Sequence, residues 1–153
     1  MKTLIDTEFT VFPVSEKTNI ILPFTVSEEA TELVIDYSYS PKTLADNEKA
    51  ERLIRENLLR DAGDSIGEYT DSGKFMPLKN LITLSLDSPS GYRGAAHRQD
   101  SEQHHVIRRN FASVGFLKGE IEKGQWQLVL NVHAVVTDEV KCKVRVHAGG
   151  VLK

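Results

Sequence analysis

Residues 112–136 read ASVGFLKGEIEKGQWQLVLNVHAVV, two Gly-flanked turns that run into an alternating apolar segment around Trp126, the only Trp in the chain. Trp126, Leu128, Leu130 and Val132 fall on one side and Gln127, Asn131 and His133 on the other. That period of two is the mark of a half-buried strand. The stretch therefore reads as scaffolding, with Trp126 as a core anchor whose burial is worth a few kcal/mol. Just beyond it, Val140, Cys142, Val144 and Val146 alternate with Lys141, Lys143, Arg145 and His147. The intervening VVTDE has the length of a short connection, so the two strands are expected to form a hairpin.

Working outward, the same period recurs in TEFTVF from Thr7, in TNIILPFTV from Thr18, in TELVIDYSYS from Thr31 and in KNLITLSLD from Lys79. Pro23 places the second of these at an edge or a bulge. HHVIRRNF from His104 alternates less cleanly, with charges on both faces. Only one segment changes period. In DNEKAERLIRENLLRDAG, Ala50, Leu53, Ile54 and Leu58 recur at spacings of three and four, and Glu48, Glu51 and Glu56 each precede an Arg by four residues. This predicts one inserted α-helix around residues 44–62, capping the sandwich or offering a charged face to a partner. SPSGYRGAAHRQDSEQH, from Ser88, reads as a long polar loop. The expectation is an all-β fold, an antiparallel β-sandwich, in a single domain over 1–153.

At 153 residues, with 40% hydrophobic and 27% charged residues and a net charge of -3, the chain has ordinary globular composition. A domain of this size buries roughly 70% of its unfolded surface and needs no metal or disulfide to fold. Nothing in the charge balance points to nucleic acid. Cys142 is alone and forms no internal disulfide, which fits a reducing compartment. Asp6 and Glu8 interrupt any apolar leader, and no stretch approaches the about 20 apolar residues of a membrane span. A cytoplasmic location without membrane attachment is expected.

Three segments, SLDSPSGYRGAAHRQD (85–100), HHVIRRNFASVGFLKGEIEKGQWQLVL (104–130) and VKCKVRVHA (140–148), together resemble the amino-terminal β-sandwich domain of bacterial PHP-type metallohydrolases. That domain is similar to the jelly rolls called pre-peptidase C-terminal domains. The resemblance rests on Asp87, the triplet Tyr92, Arg93 and Gly94, the segment from Ala112 to Gly119, and Gly124 with Trp126. It departs from the family pattern at Val114, where a Pro stands in the family, and at the strand end LNVHAVV. It implies a jelly-roll-like accessory domain standing alone, without the catalytic domain that opens with His-x-His in multidomain relatives. It also implies a separate PHP-type metallohydrolase as one partner.

Candidate chemistry lies in three places. His97, His104 and His105, with Asp100 and Glu102 between them, supply ligand types for a divalent ion, or else belong to a solvated loop. Tyr92 and Arg93, an aromatic and a forked guanidinium beside glycines, suit a sugar or carboxylate; alternatively Tyr92 packs over a core edge and Arg93 bonds loop carbonyls or a nearby acid. His133 and His147, beside Lys141, Lys143 and Arg145, form an anion-binding or acidic-partner strip, or a solvated face. Cys142 reads as a buried, inert thiol. No nucleophile elbow, phosphate loop, dinucleotide fingerprint or paired-Cys motif is present, and no cofactor is expected. The reading is a non-catalytic binding module with a surface at Tyr92, Arg93, His133 and Arg145. The alternatives are a small metal-dependent hydrolase using the histidine loop, and a scaffold in a homo-oligomer.

Overall fold

The computed structural model describes residues 1–43, 52, 78–96 and 100–150. Among these residues, eight strands form two four-stranded antiparallel sheets: β1 (Lys2–Val11), β2 (Thr18–Val26), β3 (Glu32–Ser40), β4 (Leu81–Ser88), β5 (Gly91–Ala96), β6 (Glu102–Arg108), β7 (Gly124–Ala134) and β8 (Val140–Gly149). The first sheet has the order β1-β8-β3-β6 and the second β2-β7-β4-β5. Thus β1 pairs with β8, β2 with β7, β3 with β6 and β4 with β5. The described strands form in effect one long two-stranded ribbon with its tip at Pro89 and Ser90. Successive quarters of that ribbon lie alternately in the two sheets, which is a jelly roll.

Alternation along each strand decides which face is covered. Trp126, Leu128 and Leu130 of β7 meet Val140, Cys142 and Val144 of β8 in one core. Trp126 is fully buried and stacks on Phe24 with ring centroids 6.0 Å apart. Its indole N–H donates to Glu122 O at 2.8 Å, so the ring is buried without an orphaned polar atom. As Pro23 predicts, β2 is an edge strand.

The structure departs from the sequence reading at three points. The first strand begins at Lys2 rather than Thr7, with a register shift between Thr3 and Ile5. GYRGAA, expected as loop, is strand β5. The expected last hairpin does not form, because β7 and β8 belong to different sheets and residues 135–139 cross between them.

Asn80, fully buried, explains that crossing. Its Oδ1 accepts the N–H groups of Val136 at 2.7 Å and Thr137 at 3.4 Å, and its Nδ2 donates to Pro41 O and to Thr137 Oγ1. Glu16 Oε1 accepts the Val135 N–H at 2.9 Å. The connection thus gains its backbone partners from side chains outside both strands it joins. The helix expected around 44–62 lies, apart from Arg52, outside the described residues. Among those described, no helix is long and apolar enough to cross a membrane.

Candidate functional site: two sheet faces and an arginine clamp

Tyr92 and Arg93 separate. Between Leu86 and Asp87 the β4–β5 register shifts, so Asp87 faces Tyr92 and Arg93 is the extra residue. Tyr92 is 60% exposed on the outer face of the second sheet, whereas Arg93 is 8% exposed and turned under the β6–β7 connection. There its guanidinium donates to Leu117 O at 3.2 Å, Gly119 O at 3.2 Å and Glu120 O at 2.9 Å. Its Cζ lies 5.2 Å from the Trp126 ring centroid, a cation–π distance. Burial lowers the Arg93 pKa and the Glu122 carboxylate opposes that shift. Of the two roles open to Arg93, the structure shows the bond to loop carbonyls.

Glycine makes this close approach possible. The Ala95 N–H donates to Gly115 O and the Leu117 N–H to Arg93 O, laying the connection along β5. Gly94 has φ +115° and Gly115 φ +96°; a Cβ on the first would strike Gly115 O and Phe116 Cα, and one on the second would strike Ala95 O. The connection also covers the edge that β5 would otherwise present. Residues 112–126 are thus tied to β5 by backbone hydrogen bonds and to the core by Trp126.

On the outer face of the second sheet the register aligns Pro23, Gln127, Asp87 and Tyr92 in one row across four strands. The next row holds Ile21, Val129, Ser85 and Ala95, and the one after it Asn19, Asn131 and Thr83. His133 lies on this face too, its Nε2 2.9 Å from Thr83 Oγ1. Among the described strand residues pointing outward here, Asp87 is the only acid or strong base.

Arg145 and His147 stand on the opposite side of the molecule. On the outer face of the first sheet, Asp6, Arg145, Asp36 and His104 form one cross-strand row, and Glu8, Lys143, Ser38 and Glu102 the next. Arg145 Nε is 3.8 Å from Asp6 Oδ2, Lys143 Nζ 3.4 Å from Glu8 Oε1, and His104 Nδ1 2.5 Å from Asp36 Oδ1. A depression of about 470 Å³ lies over Thr10, Ser38, Ser40 and Lys141. A second of about 370 Å³ adjoins it around His104 and Arg145. The structure thus brings Tyr92 and His133 to one face, leaves Arg145 on the other, and commits Arg93 to the interior.

The histidines do not converge. His97 lies outside the described residues. His104 is exposed and paired with Asp36, whereas His105 is 1% exposed, faces the core, and holds Gln103 Oε1 at 2.9 Å beside the Phe116 ring. Adjacent residues of one strand point to opposite faces, so these two share no ion. Among the described residues no group of three or more His, Cys, Asp and Glu could hold a metal. Cys142 is buried, and burial pushes its thiol pKa up to about 11, which removes thiolate character near neutrality.

No family model matches the chain, and no curated protein does. Among solved structures, the chain is similar to the crystal structure of a protein from Sulfurospirillum deleyianum. The two share 8% identity with a TM-score of 0.33, over 94% of this chain and 98% of that one.

Proposed function

We propose that this chain is a non-catalytic jelly-roll binding module whose ligand face is the outer face of the second sheet around Tyr92. The ligand class is neutral and hydroxyl-rich, such as an oligosaccharide. The observation that carries this reading is the row Pro23, Gln127, Asp87 and Tyr92, an exposed aromatic in line with an amide and a carboxylate on a sheet face where no other described strand residue is an acid or strong base. A ring face and a few fixed polar groups are what a sugar requires, apolar C–H surface against the ring and hydroxyls to the amides. The carboxylate alternative needed a free guanidinium, and Arg93 has three backbone carbonyls instead.

Affinity electrophoresis of the purified chain through gels containing soluble neutral polysaccharides tests the proposal. Retardation by at least one polysaccharide, lost in Tyr92→Ala and reduced in Gln127→Ala, supports it. Free migration through the whole set, or retardation unaffected by Tyr92→Ala, refutes it.

A further inference from the structure

On the face opposite Tyr92, independently of the reading above, the geometry points to a phosphate-binding site at the edge of the charged ladder. Lys141, on β8, sits between Thr10 of β1 and Ser40 of β3 in the register. One step along, Lys143 sits between Glu8 and Ser38. Directly opposed side chains have Cβ atoms about 5 Å apart, and residues two apart on a strand about 6.6 Å apart. Lys141 and the hydroxyls of Thr10, Ser38 and Ser40 therefore surround a single small volume, and all four line the depression of about 470 Å³.

Two features make this a site rather than one more part of the ladder. Lys143 has Glu8 as its carboxylate at 3.4 Å, and Arg145 has Asp6 at 3.8 Å. Lys141 is flanked by hydroxyls instead, so its ammonium has no carboxylate directly opposite it, and the nearest acids in the register are Glu8 beside Lys143 and Glu102 across from Ser38. Moreover, among the described residues, Thr10, Ser38, Ser40 and Lys141 make no side-chain hydrogen bond or ion pair with the protein. Four donors, one of them an ammonium with no carboxylate directly opposite, suit a tetrahedral oxyanion, which accepts on three or more oxygens, better than a planar carboxylate with two. The adjoining depression shares Ser38 and Lys143 and leaves room for a polar substituent, so the ligand class is inorganic phosphate or a small phosphate monoester.

The experiment is an amide NMR titration of the full chain with sodium phosphate, with chloride holding ionic strength constant so that screening does not vary. Saturable shifts are expected at Thr10, Ser38, Ser40, Lys141 and Lys143. Lys141→Met should weaken the Kd roughly tenfold, the loss of one charge-assisted hydrogen bond, and Ser40→Ala by roughly threefold to tenfold. Lys123→Met, beside Glu29 on another part of the surface, should leave it unchanged. Non-saturating shifts, shifts spread over every surface lysine, or a Kd that survives Lys141→Met would overturn the site. Acetate binding at the same residues with equal affinity would overturn the assignment to phosphate. Glycerol 3-phosphate in place of phosphate separates the two sources: tighter binding, with added shifts at His104 and Arg145, identifies a monoester, and equal binding identifies phosphate itself.

Discussion

The two sheets share one core, yet their outer faces follow different rules. The first carries charged rows, Asp6–Arg145–Asp36–His104, which alternates acid and base, and Glu8–Lys143–Ser38–Glu102, on strands that are each amphipathic at period two. The second carries Gln, Asn, Ser, Thr and Tyr92, with Asp87 as its one acid among the described residues. The inner faces differ in the same sense. Buried Tyr37 and Cys142, together with His105 and Gln103, come from the first sheet, while Trp126, Phe24 and leucines come from the second. Charge on the first face stabilises the register of neighbouring strands through cross-strand pairing. An uncharged face contributes little of that kind, and its register rests on packing and on the Arg93 clamp.

The sharpest way to break this comparison is to exchange one arginine from each side for alanine. Arg93→Ala removes three charge-assisted hydrogen bonds and a cation–π contact from a buried position, and should cost about 3 kcal/mol in urea unfolding. Arg145→Ala removes an exposed pairing and should cost less than about 1 kcal/mol. If the two costs were equal, the clamp would be no more important than the ladder.

A smaller effect separates the inner faces. Burial raises the Cys142 thiol from 9.0 to about 11, so between those values the unfolded chain loses its proton first. Stability therefore falls as pH rises through that window. Tyr37, raised above its usual 10.0 by burial, deepens the fall at the upper end. Lys42 acts the other way: burial lowers its pKa, so the folded chain sheds that proton first and its unfavourable contribution fades as pH rises. Urea midpoints below pH 9.0 and near pH 11 should show a net loss that Cys142→Ala reduces. An identical loss in the variant would remove the thiol as its cause.

Smaller still is the ladder's own coupling. A double-mutant cycle on Asp6 and Arg145 should give about 0.2–1 kcal/mol at low salt and close to zero in 1 M salt. At the end of the scale, Tyr92→Ala should leave stability within about 0.5 kcal/mol of the parent, because its ring is exposed. A larger loss would make Tyr92 a packing residue and weaken its claim on a ligand.

Much of this architecture is legible in alternation. TNIILPFTV from Thr18 is β2 to the residue, and Val140, Cys142, Val144 and Val146 face inward as read. What alternation could not supply is pairing. GYRGAA reads as loop because its glycines and alanines have no strand preference; β4 on one side and the connection carrying Gly115 on the other impose the strand. The last two strands read as a hairpin because they are neighbours in sequence, and it is Asn80 and Glu16, both far upstream, that carry the connection across. The same limit governs the sites. Arg93 had two readings until the bulge fixed its direction. Lys141 reads as one more base in an alternating strand until Thr10 and Ser40 are seen on either side of it.

The position of β8 has a consequence for how the chain is made. Of the eight described strands, the last in sequence is not an edge but lies between β1 and β3, bonded to both. Until it arrives, the first sheet has an open slot with a row of unpaired backbone groups on each lip. During synthesis that slot is a template for any extended peptide, including the same strand from a neighbouring nascent chain. The basic residues on β8 and the acids facing them on β1 then act as a key, favouring the chain's own strand over an uncharged intruder.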